Sequence, residues 1–178
     1  MTLRERSDSP ASKVLTLQIA DLGPTGSVST QKLLRVPLPA WSSRHIVATG
    51  EVVFRSRGPF WSAWAAEDLG EPLVAVAPLF IIRPVSDILD ARYLAWWLGR
   101  PSAQQHFAAS AMGTGVKMIT KSALEQTPIV LPPLDEQGRI ADTAALVARE
   151  LDLALSLARL RSDVRSARLD LAATDPDR

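Results

Sequence analysis

The spacing of apolar residues changes character twice along this chain, near Ser86 and again after Pro133. From Lys13 to Leu22, KVLTLQIADL alternates apolar and polar residues, the period-two signal of a half-buried strand. GPTGSVST then reads as a loop. QKLLRVPLPA resumes an extended pattern cut by Pro37 and Pro39, which suits an edge strand or a loop. IVATGEVVFRSRG carries β-branched runs on both sides of Thr49-Gly50, so a turn between two strands is predicted. PLVAVAPLFIIRP is the strongest strand candidate, read as two strands interrupted near Pro78.

From Ser86 the spacing becomes helical. Ile88, Leu89, Tyr93, Leu94, Trp96 and Trp97 are followed by Phe107 and Met112. Ser86 or Asp87 is a candidate cap for a first helix, and Asp90 a candidate start for a second. Gly99, Arg100 and Pro101 break the pattern, and Ser102 is placed to cap the next helix. GTGVKMIT is a glycine-bearing loop running into a short extended piece. KSALEQ is a helical turn, and TPIVLPPL a short strand ended by Pro132-Pro133.

The last segment is one long helical pattern. One apolar register holds Ile140, Ala144, Val147, Leu151 and Leu155. A second holds Leu153, Leu157, Leu160, Val164, Ala167 and Leu171, in strict 3-4 spacing. Passing from one to the other needs a slip, as in a coiled coil with a stutter. At 1.5 Å per residue the stretch from Asp135 to Leu171 extends about 55 Å. A domain this small does not cover both sides of such a rod, so part of the stripe must meet another helix. The alternative is two shorter helices folded back on the domain, with a break near Ser156. The organisation expected is therefore a disordered leader (1–12), an α+β domain of mixed β-structure with short helices (13–134), a long helix that pairs as a coiled coil (135–172), and a tail (173–178).

Composition narrows the class. Of 178 residues 47% are hydrophobic, too apolar for a disordered chain. With no cysteine there is neither a disulfide framework nor a thiolate metal site. The polar N-terminus MTLRERSDSPASK has no apolar core of a signal peptide. The longest apolar run, Leu73–Ile82, is too short to span a bilayer. A soluble, cytoplasmic protein without membrane contact is expected.

Net charge is only +1, but its distribution is uneven. Lys32, Arg35, Arg44, Arg55 and Arg57 meet a single acid, Glu51, between Gln31 and Trp61. Arg100, Lys117 and Lys121 meet none between Gly99 and Leu124. Two such segments make either one positive face for phosphates or ordinary solvated cations. Catalytic constellations do not stand out. His45 and His106 have no acid or nucleophile near them in sequence, and lone histidines are more often structural. Gly113 and Gly115 are too sparse for a dinucleotide fingerprint, and there is no P-loop. VLPPL lacks the Asn or Asp and the aromatic that flank the prolines of DNA amino-methyltransferases, which argues against methyl transfer by this chain.

Three segments, in order, resemble the DNA-specificity (S) subunit of type I restriction–modification systems. They are TGEVVFRSRG (49–58), LVAVAPLFIIRPVSDILDARYLAWWLGRP (73–101) and GTGVKMITKSALEQTPIVLPPLDEQGRIA (113–141). The most specific is an extended P-I-x-L-P-P-L-x-E-Q passing into a long helix, and the resemblance covers about Lys13 to Leu171. It implies a target-recognition domain joined to a spacer helix, a non-catalytic role, and one unit where complete members carry two. Implied partners are double-stranded DNA, a methyltransferase (M) subunit that binds S-adenosylmethionine, a nuclease (R) subunit, and either a second copy or another half-subunit. No cofactor is expected in this chain. A remnant, or a module whose helix binds a protein without reading DNA, is the competing reading.

Specific readout needs side chains at base edges, while phosphate contacts set register. Arg55 and Arg57 alternate in FRSRG and are expected on one side of an extended chain. Lys117 and Lys121, with Thr114 and Gly115, form a second candidate group, and Arg44 and Lys32 are weaker members. Each singly is as readily a solvated surface residue. Trp61 and Trp64 fall in an expected loop, where an aromatic packs on a sugar or a flipped base. Trp96 and Trp97 are expected in the core. Ile140, Val147, Leu151, Leu157, Leu160 and Val164 are the candidate helix-pairing positions. Two features depart from the family: PFWSAW replaces a glycine-rich continuation, and Gly138 stands where a charged helix-former is usual. The glycine costs the helix up to about 1 kcal/mol relative to alanine.

Overall fold

The structure is a computed structural model that describes residues 13–37 and 45–174. The expected leader, the candidate Arg44, Trp41 and the end of the tail from Asp175 lie outside the described residues. The chain divides into two units, Met1–Gly138 and Arg139–Arg178.

Unit 1 holds two small sheets. The first contains β1 (Lys13–Leu17), β2 (Leu34–Pro37), β3 (Ile46–Val47) and β6 (Leu73–Ala75), in the order β2-β1-β6-β3. Within it β1 and β6 run parallel and the other pairs antiparallel. The second contains β4 (Val52–Arg55), β5 (Ala63–Ala65) and β7 (Leu79–Ile82), antiparallel in the order β5-β4-β7. β1 is shorter than the alternation predicts. After Leu17 the chain turns, with the Asp21 carboxylate accepting from the Gln18 amide.

Strand β4 explains why VVF needs no polar residue. Val53 packs in one apolar cluster with Leu17, Leu22, Val47 and Leu73. Val52 and Phe54 enter a second with Leu94, Leu98, Phe107 and Ile119. A strand buried on both faces reads as a continuous apolar run. The Phe54 and Phe107 rings meet at 5.2 Å, and burying each side chain contributes about 1.5–3 kcal/mol. The Thr49-Gly50 turn does join two strands, but they belong to different sheets: β3 pairs with β6, and β4 with β5 and β7. The interruption near Pro78 likewise hands the chain from β6 to β7.

The helices correct several sequence expectations. Neither Ser86 nor Asp87 starts one. Asp90 caps α1 (Ala91–Leu98), its carboxylate accepting from the amides of Arg92 and Tyr93 at 2.7 and 3.3 Å. Ser102 caps nothing, because α2 (Pro101–Ser110) starts one residue earlier with proline at its first position, where the missing N–H costs nothing. The α3 turn (Lys121–Glu125) is capped by Thr120. TPIVLPPL is extended but joins no sheet. Its carbonyls are taken by side chains of α1 instead: Trp97 Nε1 donates to Pro128 at 2.9 Å and the Tyr93 hydroxyl to Val130 at 2.8 Å. Trp96 and Trp97 are therefore half-buried, with Tyr93 the fully covered member of the group. Trp64 sits in β5 rather than in a loop, and packs on the first cluster.

Helix α4 (Leu134–Thr174) is continuous for 41 residues, about 60 Å, with no break near Ser156. Its first turn lies in unit 1 and the rest forms unit 2. Ile140 is half-buried, while Val147, Leu151, Leu157, Leu160 and Val164 are about half exposed or more. No helix among the described residues is long and apolar enough to cross a membrane.

Candidate functional site

The two arginines of FRSRG separate. Arg55 ends β4, and its guanidinium turns into unit 1. Nη1 donates to the carbonyls of Ile19 at 2.8 Å and Leu22 at 3.0 Å, and Nε donates to that of Arg57 at 3.2 Å. The Phe60 ring lies 4.1 Å away, face-on to the cation. Burial pulls the pKa of this guanidinium below the usual arginine value. Gly58 makes room for it. With φ +129° its backbone suits glycine, and a Cβ there would stand 2.9 Å from Arg55 Nη2. PFWSAW thus supplies a ring that holds an arginine and, in Trp61, a ring packed against Phe107. Trp61 and Trp64, the aromatics the sequence had placed in a loop, are both half-buried, the first edge-on to Phe107 and the second in β5. Arg35 is also engaged, in a bidentate pair with Glu71.

Arg57 is exposed, and it belongs to a short three-stranded patch. Its bridge partner is Met118, and Met118 bridges in turn to Met112. Both backbone bonds of the Met112–Met118 pair are 2.9 Å. The Ile119 amide donates to Ser56 at 2.8 Å and the Gly58 amide to Lys117 at 3.1 Å. Ser56 and Ile119 are buried. Side chains alternate across a strand, and directly opposed residues share a face. Arg57, Met118 and Met112 therefore form one outward row, with the methionines 40% and 61% exposed. Gly113, Thr114, Gly115, Val116 and Lys117 make the exposed turn between the methionines. Gly113 adopts φ +105°, and a Cβ there would meet the Val116 carbonyl at 2.8 Å. Among the described residues no acidic side chain pairs with Arg57 or Lys117.

The fold thus brings together Arg57, Lys117, Thr114 and Gly115 of the candidate residues. It assigns Arg55 to internal structure. Lys121 opens α3, ion-pairs with Glu125 at 3.4 Å, and lines an apolar groove of about 650 Å³ between β7, α1 and α3. Lys32 ends a 3-10 turn (Thr30–Lys32) and is exposed. Neither lysine is part of the ladder. Met112, Val116 and Met118 were missed by sequence reasoning. Val116 and Met118 gave only the signal of apolar residues inside a glycine-bearing loop, and Met112, read as the last apolar position of a helical pattern, lies beyond α2, which ends at Ser110. His106 is structural, its Nε2 bonded to the Ala123 carbonyl at 2.8 Å. The described residues contain no group of three or more His, Cys, Asp or Glu placed to hold a metal.

The di-proline stretch has its own geometry. Gln137, in the first turn of α4, is 1% exposed. Its Nε2 donates to the carbonyls of Ile88 at 2.9 Å and Pro132 at 2.8 Å, and its Oε1 accepts from the Asp90 amide at 2.9 Å. The Pro133 carbonyl accepts the amides of Glu136 and Gln137. A buried amide with donors and acceptor all used ties the helix start to the residue that caps α1. The prolines fix φ on one side of this tie. At Gly138 a Cβ would lie 3.9 Å from Arg92 Nη2, an ordinary contact, so packing does not demand the glycine.

With this geometry in place, known proteins supply a comparison. The type I restriction modification DNA specificity domain family matches residues 48–151, more than half of the chain. Two solved structures share the fold. One is a chain from work on complex assembly and conformational transition of the type I R-M system, at 20% identity and TM-score 0.67, covering 94% of this chain and 43% of that one. The other is the HsdS subunit from Thermoanaerobacter tengcongensis, at 19% identity and TM-score 0.58, covering 93% and 42%. This chain spans less than half the length of either. No curated protein matches it in sequence.

Proposed function

The chain belongs to the family of type I restriction modification DNA specificity domains, and from that premise we propose that it is a non-catalytic half-subunit that recognises one part of a split double-stranded DNA site in the cytoplasm. It directs a methyltransferase (M) subunit there, and with it a nuclease (R) subunit. S-adenosylmethionine belongs to the methyltransferase partner. The exposed stripes of α4 pair with a second helix, from another copy or another half-subunit, so that two recognition domains act together. The observation that carries the reading is the outward row at Arg57, next to a glycine turn bearing Lys117, in a domain whose other mapped cations are largely engaged internally. Cations without acidic partners beside a backbone that comes close to its surroundings suit phosphate and base contact.

Duplex binding by the full chain assembled with its methyltransferase subunit tests this. Affinity is expected to prefer certain duplexes and to fall steeply with salt, as counterions are released. Equal binding to all duplexes would remove the recognition role and leave the helix as a protein-binding module.

A further inference from the structure

Met112 and Met118 pose a question that the cations do not answer. Two adjacent, directly paired methionines face solvent, 61% and 40% exposed, in the same row as Arg57. Val116, 54% exposed, stands in the turn between them. A strand surface that contributes nothing to the core would ordinarily carry polar residues. Both methionines are held there by a complete pair of backbone bonds, so their exposure is built rather than accidental. The loop has no acid from Arg100 to Lys121, which fixes the sign of whatever lies against it.

We infer that the Met112–Met118 ribbon enters the DNA major groove and that its methionines read thymine by contact with the C5-methyl group. This rests on the DNA-recognition reading above and names the base it selects. The partner must be anionic and must also offer apolar groups at the surface. Duplex DNA meets both conditions in one place. The major groove, about 12 Å wide, admits a two-stranded β-ribbon, and it is there, not in the minor groove, that the thymine methyl is presented. On the base edges of the major groove the only apolar group is the thymine methyl. Arg57, one strand over in the same row, is then positioned for a guanine edge or a phosphate. The thioether is flexible and polarizable, and adapts to a methyl without a fixed rotamer. Methionine, unlike arginine, has no use on that face if only phosphates are touched.

Replacing thymine by uracil deletes that methyl and nothing else. The experiment first selects duplexes from a random pool with the full chain assembled with its methyltransferase subunit. It then measures binding to the selected duplexes with each thymine changed singly to uracil. Loss of one methyl contact is expected to weaken binding about fourfold at one or two positions. A Met112→Gln/Met118→Gln chain keeps the length of both side chains and replaces their apolar ends by amides. It is expected to melt at the same temperature and to bind uracil and thymine duplexes alike. Enriched duplexes that bind equally with uracil at every position overturn the thymine contact and leave DNA recognition standing. A pool with no enriched sequence overturns recognition itself, and the contact with it. Should the double variant melt early, the uracil scan on the unaltered chain still decides the matter.

Discussion

Between residues 13 and 138 the apolar side chains build two buried clusters, although some, Met112 and Met118 among them, stay exposed. Phe54, Phe107 and Ile119 are fully buried around β4. Between residues 146 and 171 of α4 they turn outward, and Leu146, Leu153, Leu160 and Leu171 are all more than half exposed. Leucine, valine and isoleucine are denser in the second stretch than in the first, so a shortage of apolar residues is not what turns it outward. What separates them is the destination of the apolar face. The first region closes its core within one chain. The second is a long helix whose apolar positions stay exposed, although in proteins most helical stability comes from packing an apolar face. A contiguous exposed apolar stripe of that length marks an interaction surface.

The largest test of this contrast is a pair of truncations. Phe107→Ala, at the centre of the second cluster, is expected to destabilise unit 1 by about 3–5 kcal/mol, independent of protein concentration. Leu157→Ala is expected to leave that transition in place and instead weaken association, moving the sedimentation profile toward monomer as the protein is diluted. A concentration-independent profile for both proteins would show that α4 does not pair, and the contrast would lose its meaning.

Gln137 sharpens the boundary between the two regions, because it is a fully buried polar residue in the first turn of the long helix. Gln137→Leu retains approximate volume but leaves the Asp90 amide and two carbonyls without their partner. A cost of about 2–3 kcal/mol is expected in urea unfolding. A change below a few tenths would mean that water replaces the side chain and that the tie is dispensable.

The two arginines make the same contrast within five residues, at a smaller scale. Arg55→Ala is expected to cost about 1–2 kcal/mol of stability, since the carbonyls of Ile19, Leu22 and Arg57 lose a charged donor. Arg57→Ala is expected to leave melting unchanged and to lower DNA affinity with a shallower salt dependence. Reversed outcomes would exchange their roles. This pair also shows where sequence stops being informative. Period-two alternation placed both arginines on one side, as if the strand ran on through Gly58. β4 ends at Arg55, and Phe60 with two carbonyls from the Gln18–Leu22 turn captures the first guanidinium. Those partners lie 36 and 33 residues away in sequence, beyond any local pattern. Strands split at Pro78 and the long helix after Pro133 were legible because periodicity and proline act locally. The short strand at TPIVLPPL was misread because the acceptors' partners, Tyr93 and Trp97, come from another element. The Met112–Met118 row was invisible for a related reason: a lone bridge needs two strands to be seen, and each contributes a single residue.

The smallest expected effect concerns acid, and it lies on the unit 1 side of the contrast. Asp90 caps α1, receives the Arg92 guanidinium at 3.1 Å, and through its amide bonds to Gln137. Burial by itself would raise the carboxyl pKa. The hydrogen bonds from the Arg92 side chain and from the amides of Arg92 and Tyr93, together with the Arg92 charge, outweigh that and hold it below the usual value. A folded-state pKa below the unfolded one adds stability that is complete above the unfolded carboxyl value, about 3.9, and is lost as pH falls through the folded value. The expected loss is about 1 kcal/mol, the size of a helix cap. Asp90→Asn keeps a good capping group but removes the titration, so its urea midpoint should fall less than that of the natural chain between pH 5 and pH 2.5. The difference should survive in the Leu157→Ala background, because it belongs to unit 1 and not to helix pairing. Parallel acid profiles for the two chains would mean that the carboxylate is held by geometry alone and that its charge contributes nothing to the joint.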